Sequence, residues 1–566
     1  MEKIGKAQIE EAKSILRKYK SGKQSLDERI VSEEEFWKLR QWRILTNDPD
    51  DKTKPTSAWM FNTIVNKHAD VMDSYPELKF LAREKSDEES ADLLTKIAPV
   101  LLAQNDFEGT YADNNWYKLK YGCCAYGIFW DAAAGSMGDV VIKKVDLLNL
   151  FWEPGITDIE DSENLFILAY VPTKNLREAF PKKNFSGGGE KLKEYYRDDT
   201  ADTSDKTVVV DWYYKKQGAG GEKILHYCKF AEDEILFSSE NEKGYEDGWY
   251  TDGKYPIVLD VLFPIEGSPA GFGYIYLTKD SQLYIDMLDN AIMDCAMMAT
   301  TPRYFSKASA GVNEEEFLDW KKPIIHVEGD IDESRLRQLT VNSIPGYIHN
   351  FRQAKIDEMK ETSNNRDFSQ GSTMGGVTSG AAIATLQEAG NKTSRDMIKQ
   401  SYRAYRRIAE KMVERLRQFY DEKRTFRIAG ERESEYAEFS NEGIRLQSIG
   451  NVGGKELFRK PVFDVDIKAQ KMSPFSTLSQ NETAMNLYQS GFFNPQNADM
   501  ALAALSVMDF EGKKEIEEYI IKNRQTQDMI MQLSAENERL RQTAQSSVGD
   551  VPRKAVRADM KNPFAE

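Results

Sequence analysis

Cysteine and histidine, the residues that build most metal centres and many active sites, are scarce in this chain. Its 566 residues include four of each. Cys123 and Cys124 are adjacent, so they cannot form a disulfide framework or a CxxC metal knuckle. His226 and Cys228 share one strand face without a second ligand pair, so we expect both to be core residues. With no G-x-S-x-G or H-E-x-x-H motif in the sequence, we expect no catalytic residue, metal or cofactor.

Long apolar runs and net positive charge are also absent. No apolar run approaches the ~20 residues that span a bilayer, so no membrane association is expected. The first residues, MEKIGKAQIEEAK, form a charged helical pattern rather than a signal peptide, which predicts a cytosol-like compartment. Asp and Glu number 92 against 76 Lys and Arg, a net charge of −16. This balance argues against a protein that grips nucleic acid over its whole surface, so contact with DNA must be local or weak.

The composition is that of a folded protein with several domains. Hydrophobic residues make up 40% of the chain and aromatic residues 11%, which supplies ample core. Residues 1–270 alternate helix and strand signals and predict a mixed α/β domain. Ser32 and Glu35 form a capping-box pattern, and one long helix is expected from about residue 87 to residue 121.

Strand signals follow this helix. Gly135 and Gly138 mark a turn between the first two strands. The predicted strands are YGIFWD, DVVIKKV, NLFILAYV, TVVVDWYY, KILHYCKF and YPIVLDVLF, and NFSGGGEKLKEYYRDDTADTSD is typical of an exposed insertion.

The pattern changes at Tyr274, where an uninterrupted helix begins that Pro302 must end. A small α/β module, a second helix, a glycine-rich segment and a long helix follow. The strand PVFDVDIK could return to the first domain, and C-terminal helices come after it. We divide the chain at residues 1–270, 271–301, 302–343, 344–365, 366–378, 379–470 and 471–545, with a disordered tail at 546–566.

The glycine-rich segment QGSTMGGVTSG has the spacing of a phosphate-binding loop. Gly371, Gly376 and Thr378 fit the G-x-x-x-x-G-K-[ST] template, but Val377 occupies the lysine position. The hydrophobic strand that should precede such a loop is missing as well. We therefore favour a mobile loop between two helices over a nucleotide-dependent DNA-processing protein with a degenerate phosphate-binding loop.

The long helix in 379–470 carries a basic excess inside an acidic protein. We interpret its cations as a solvated face, or as partners of carboxylates on a neighbouring chain, rather than as a nucleic-acid site. They are Lys392, Arg395, Lys399, Arg403, Arg406, Arg407, Lys411 and Arg415.

Taken together, the order of segments resembles that of bacteriophage portal proteins, most closely those of short-tailed phages. The resemblance covers most of the chain. It rests on SAWMFNTIVNKHADVMDSYP, YGCCAYGIFWD, FPIEGSPAGFGYIYLTKDSQLYIDMLDNAIM, IPGYIHNFRQAKIDEMKETSNNRDFSQGS and TSGAAIATLQEAGNKTSRDMIKQSYRAYRRIAEKM. It implies a mixed α+β, multidomain portal fold: an α/β wing, a two-helix stem with an inserted small α/β clip, a long helix after a glycine-rich tunnel loop, and a helical C-terminal crown.

The resemblance also implies site residues. A tunnel loop would line a DNA channel with Gln370, Gly371, Ser372, Thr373, Met374, Gly375, Gly376 and Val377. Asp286 and Asp289, about one helical turn apart, are candidate channel-lining acids of the stem, although the sequence does not orient the helix and they could equally face the ring exterior. Glu314, Glu315 and Glu316 are candidate docking residues of the clip.

Function and partners follow from the same resemblance. It implies a non-enzymatic ring, of twelve subunits, at one capsid vertex of the virion, assembled in the host cytoplasm. The ring would serve genome packaging, retention and ejection. Its partners would be the packaging terminase ATPase, the major capsid and scaffolding proteins, a tail adaptor, and double-stranded DNA that passes without sequence specificity.

Overall fold

The computed structural model divides the chain into two compact units, Met1–Gln470 and Lys471–Glu566. The structure describes residues 3–42, 54, 56–187, 205–218, 221–300, 304–306, 313–318, 324, 326, 328, 336–338, 345–364, 392–429, 434–452, 455–471, 485–491, 498–507 and 513–548.

The first unit mixes helices and strands, which confirms the predicted class. In chain order its elements are α1 (Lys6–Trp37), α2 (Trp59–Met72), β1 (Ser74–Ala82), α3 (Glu88–Gln104), α4 (Phe107–Tyr121), β2 (Cys123–Asp131), β3 (Asp139–Val145), β4 (Leu150–Trp152), β5 (Asn164–Pro172), α5 (Thr173–Ala179), β6 (Lys206–Gln217), β7 (Lys223–Ala231), β8 (Glu234–Ser238), β9 (Ile257–Val261), β10 (Phe263–Ile265), β11 (Ser268–Phe272), α6 (Tyr274–Thr300), β12 (Tyr304–Ser306), α7 (Glu314–Leu318), β13 (Leu336–Gln338), α8 (Gly346–Thr362), α9 (Lys392–Phe419), β14 (Arg424–Ala429), β15 (Ser434–Phe439), β16 (Gln447–Val452), β17 (Lys455–Arg459) and β18 (Phe463–Lys471).

Two antiparallel sheets form the centre of this unit. One has the strand order β3-β2-β9 and the other β4-β5-β6-β7-β8. All six predicted strands are confirmed. Gly135 and Gly138 have φ of +65° and +69° in the β2–β3 turn, a conformation that glycine adopts without steric cost.

Two helix predictions were wrong near the N-terminus. Ser32 and Glu35 do not start a helix, because α1 continues through both to Trp37. The single helix expected over 87–121 is broken between α3 and α4, where Asp106 has φ of +47°. The break lets the Asn105 amide accept from Ile142 N at 2.9 Å and donate to Val140 O at 3.0 Å, so it pairs with the outer edge of β3.

The main core lies between the three-stranded sheet and the helices α2, α3, α4 and α9. The predicted apolar stripe of α9 is confirmed where it is described: Met397, Ile408, Met412 and Leu416 are buried in this core. A second core forms where α1 packs its Ile9, Leu16 and Tyr19 on the five-stranded sheet. His226 and Cys228 are both buried, as expected of core residues.

Strand β18 returns to the N-terminal part of the chain and pairs with β1. The return is reinforced by an ion pair, in which Nη2 of Arg83, the residue after β1, lies 2.7 Å from Oδ1 of Asp464 in β18. The segment PVFDVDIK therefore rejoins the first domain, as its sequence suggested.

The second unit is helical where it is described. Its helices are α10 (Ala498–Val507) and α11 (Lys513–Val548). They pack through Ala498, Ala501, Leu505 and Ile520. Over most of its length α11 exposes apolar side chains, among them Met529, Ile530 and Leu533. Across the described residues of both units, no helix combines the length and apolarity needed to cross a membrane.

Candidate functional site: the α6–α8 helix pair

Helices α6 and α8 pack side by side through a small apolar contact and one ion pair. Ile285 of α6 is buried against Ile356 and Met359 of α8. Further along the pair, the Arg352 guanidinium donates to both carboxylate oxygens of Asp289, with Nη2 at 3.0 Å from Oδ2. Asp289, a candidate channel-lining residue, is therefore ion-paired between the two helices. Only 21% of its side chain is exposed.

The structure contradicts the assignment of Asp286, the other candidate channel-lining acid. Its side chain is fully buried, so its carboxylate cannot line a channel. Ser57 N and Ser57 Oγ each donate to its Oδ1 at 2.9 Å, and the Gln41 amide donates to Oδ2. Burial raises the pKa of Asp286, and these hydrogen bonds oppose that rise. The carboxylate therefore holds Ser57, which lies two residues before α2 begins at Trp59. A negative charge near this end of a helix is favoured by the helix dipole.

The exposed face of α6 is mostly apolar. Tyr284 is 53% exposed and Met287 42% exposed, and Leu277, Met293, Met297 and Met298 are also exposed. Asp280 and Asp294 add two exposed carboxylates to the same helix. Leu277, Tyr284, Met287 and Met298 lie on one side of the helix, and Asp280 and Asp294 lie between them.

Helix α8 presents a different surface. Asn350, Gln353, Asp357 and Glu361 recur at three- and four-residue spacing and are all exposed. They form one polar stripe, because residues at this spacing lie on the same side of a helix. Sequence reasoning missed this stripe, although the spacing of Asp357 and Glu361 is a readable signal for it.

The three clip acids differ in their surroundings. Glu314 and Glu315 are exposed at the start of α7. Glu316 Oε2 accepts from His326 N at 2.9 Å and lies 2.8 Å from His326 Nδ1. Asn313 Oδ1 accepts from Glu316 N at 3.3 Å, so Asn313 caps the start of α7. Strands β12 and β13 pair antiparallel.

The predicted tunnel-loop residues Gln370 to Val377 lie outside the described residues, as does 379–391, the first part of the predicted long helix. The described part of the chain continues at Lys392, where α9 begins.

Part of the basic face of α9 is used within the chain. Lys411 Nζ donates to Glu160 Oε1 at 2.7 Å and to a buried backbone carbonyl. Arg415 is fully buried, lies 3.2 Å from Asp252 Oδ1, and stacks over the Tyr250 ring at 3.3 Å from its centroid. These two cations were predicted to face solvent or a neighbouring chain, and that prediction was wrong. Arg403 and Arg406 remain exposed.

Within the part of the chain that the structure describes, no group of three or more His, Cys, Asp or Glu side chains is arranged to hold a metal ion. The polar groups around α6 and α8 position helices and pair charges with one another.

These features fit the class that the sequence resembles, the ring-forming portal proteins of bacteriophages. A family model described as Phage P22-like portal protein matches residues 60–561. The chain therefore belongs to the P22-like phage portal protein family. Portal proteins are structural components of the virion: homo-oligomeric rings that contact capsid and DNA and act in genome packaging and head-to-tail connection. A search of curated proteins gives no match to this chain.

Proposed function

We propose that this chain assembles into a ring of twelve whose central channel conducts double-stranded DNA during packaging, retention and ejection. The observation that carries the proposal is the polar and acidic stripe of α8, set against the apolar side chains that α6 exposes. Helix α8 also exposes Tyr347 and Phe351 near its start, outside this stripe.

The apolar face of α6 is suited to contact a second copy of the chain. Tyr284, Met287 and Met298 are between 42% and 53% exposed in one subunit. Burying apolar surface stabilises an interface by about 25 cal/mol per Å². The same contact repeated around a closed ring leaves no subunit with an uncovered face.

The polar stripe of α8 is suited to face DNA. Lysine and arginine in a channel wall would bind phosphates by releasing counterions and would hold the duplex in place. Asp357 and Glu361 repel phosphates instead, and Asn350 and Gln353 offer neutral polar contacts. We therefore assign these α8 residues, and not Asp286, to the wall of the channel.

The remaining assignments follow the predicted portal organisation. The clip would dock the packaging terminase ATPase and later the tail adaptor through Glu314 and Glu315. The glycine-rich loop, Gln370 to Val377, would yield to passing DNA. The wing would meet the major capsid and scaffolding proteins at the capsid vertex of a particle assembled in the host cytoplasm. The absence of the phosphate-loop lysine at Val377 counts against the nucleotide-dependent alternative.

Negative-stain imaging of the purified protein tests the proposal. Discrete rings with a hole wide enough for duplex DNA support it, and particles without a hole contradict it. Met287→Glu combined with Met298→Glu should prevent ring formation, because two charges would enter the apolar contact. Met137→Glu, in the β2–β3 turn, is the matched control because Met137 is 41% exposed. Micromolar ATP binding that Gly376→Ala abolishes would favour the alternative.

A further inference from the structure

Lys67 of α2 is buried beside both ends of the glycine-rich segment. Its side chain is 4% exposed. Its Nζ lies 3.5 Å from the backbone oxygen of Asn364, which follows α8, and 3.0 Å from Ser394 Oγ in the first turn of α9. Asn364 is the last described residue before residues 365–391, and Ser394 lies two residues after Lys392, where the described chain continues. One ammonium group therefore contacts the chain before and after residues 365–391.

Asp70 completes this cluster. Its Oδ2 lies 3.6 Å from Lys67 Nζ and accepts from Ser394 Oγ at 2.8 Å. A lysine ammonium has three donors, and here it faces three acceptors: a carbonyl, a hydroxyl and a carboxylate. Burial lowers the pKa of Lys67, and the charge of Asp70 opposes that change. Loss of the ammonium would take this donor away from the buried Ser394 hydroxyl.

The chain is also shaped locally for this contact. Asn364 has φ of +50°, a left-handed conformation that asparagine tolerates better than most residues and that turns the chain away from α8. Ser363 is buried and its Oγ donates to Met359 O at 2.8 Å. The end of α8 is therefore held firmly up to the residue that contacts Lys67.

The helix that carries Lys67 is itself fixed to α6. Besides the contacts between Ser57 and Asp286, Gln282 Oε1 accepts from Met60 N at 3.2 Å, and Gln282 Nε2 donates to Ser57 O at 2.8 Å. Trp59 packs against the contact between α6 and α8. These contacts fix the position of the helix that carries Lys67 relative to α6 and α8.

We propose that Lys67 is a positioning residue that fixes the distance between the end of α8 and the start of α9. It thereby sets the span that the glycine-rich segment must bridge. In a ring, the glycine-rich segment would then bridge the same distance in every subunit that DNA passes. This consequence for DNA rests on the proposed function. The anchoring itself does not, because it depends only on contacts within one chain.

Pulsed EPR on the full-length protein tests the anchor without DNA. Spin labels at Glu361→Cys and Asp396→Cys, both exposed positions, report the distance between the two helix ends in a Cys295→Ser background, since the other three cysteines are buried. Labelled chains are diluted with unlabelled ones so that only distances within a subunit are read. A narrow distribution should shift to longer distances and broaden in Lys67→Met. It should remain narrow in Lys79→Met, whose exposed lysine lies on β1.

A second variant guards against loss of folding. Ser394→Ala removes one acceptor and should broaden the distribution less than Lys67→Met does, while Lys67→Arg should partly restore the narrow distribution. Unchanged distributions in both Lys67→Met and Ser394→Ala, with unaltered circular dichroism, would overturn the anchor. If rings never form, the measurement still applies to the single chain, so failure of the proposed function is read separately. If Lys67→Met rings still assemble into particles and those particles lose their genomes, the anchor is needed for the proposed function.

Discussion

Asp286 and Ser57 are joined by two hydrogen bonds of 2.9 Å although 229 positions separate them in the chain. An acid that was a candidate for the channel wall instead holds the segment that leads into α2 against α6. Because α2 also carries Lys67, this contact lies before one end of a helix whose other end meets α8 and α9.

Replacing Asp286 tests its contacts with Ser57 and Gln41. Asp286→Ala leaves the half-buried Ser57 N–H and hydroxyl and the buried Gln41 amide without this acceptor. A buried group left unpaired costs about 1–3 kcal/mol. Asp286→Asn keeps an acceptor oxygen and should cost less. Asp280→Asn, at an exposed position of α6, is the control and should be nearly neutral. Chemical denaturation measures all three, and an unaffected Asp286→Ala would contradict a stabilising role for these contacts.

The buried Glu33 of α1 predicts a pH-dependent stability. Burial raises its pKa from 4.5 to about 7, although Arg29 and Lys279 oppose the rise. Neither carboxylate oxygen accepts a hydrogen bond from the described residues. Between these pH values the folded chain holds a proton that the unfolded chain has lost, so stability falls as the pH rises from 4.5 to about 7.

Glu33→Gln should remove this dependence. The variant should match the wild type near pH 4 and be more stable above pH 7 by up to about 3 kcal/mol, the value of the pKa shift. Glu11→Gln, at an exposed position on the same helix, should leave the pH profile unchanged. Urea denaturation across the pH range measures the free energy of unfolding of each protein. If this free energy changes with pH in the same way in Glu33→Gln and in the wild type, Glu33 is not the group responsible.

Charge reversal on α8 tests the channel wall. Asp357→Lys with Glu361→Lys should leave rings intact but slow DNA passage, because each added cation binds phosphate and releases counterions. DNA binding by the purified rings should rise and should weaken steeply with salt. The matched control reverses Glu10 and Glu11, two exposed acids of α1. Normal packaging by the α8 variant would remove this stripe from the channel.

The clip acids should separate into two roles. Glu314→Lys with Glu315→Lys should weaken binding of the packaging ATPase or tail adaptor while rings still form, because both side chains are exposed. Glu316→Gln should chiefly loosen the clip, because Glu316 holds His326. Pull-down from rings of each variant measures docking. Full binding by the double variant would place the docking surface elsewhere.

The glycine-rich segment is tested by deletion. Removing Ser372 to Val377 should leave the folded unit and the rings intact but impair packaging or retention, because small uncharged residues offer DNA little hold and several backbone conformations. Val377→Lys should create a sticking point rather than an ATPase. Genome length in purified particles is the measurement, and deletion particles as full as wild type would deny the loop this role.

Local pattern was sufficient for much of the fold. Strand patterns predicted six of the eight strands in the two central sheets and missed β4 and β8, and helical spacing predicted α6 and α8. The break at Asn105 was missed because both sides of it have helical periodicity, and the break is stabilised by the edge of β3, a partner that no local pattern specifies.

By itself, the sequence determined the mixed helix-and-strand fold, because this depends on periodicity along the chain. It also determined membership of the portal family, which the match over residues 60–561 shows. Tertiary structure alone decided what the charged side chains do. Asp286 holds Ser57, 229 positions away, and Arg415 meets Asp252 across 163 positions. A charge is stable in a protein interior only when a partner is brought to it, and that partner is chosen by packing rather than by neighbours in sequence.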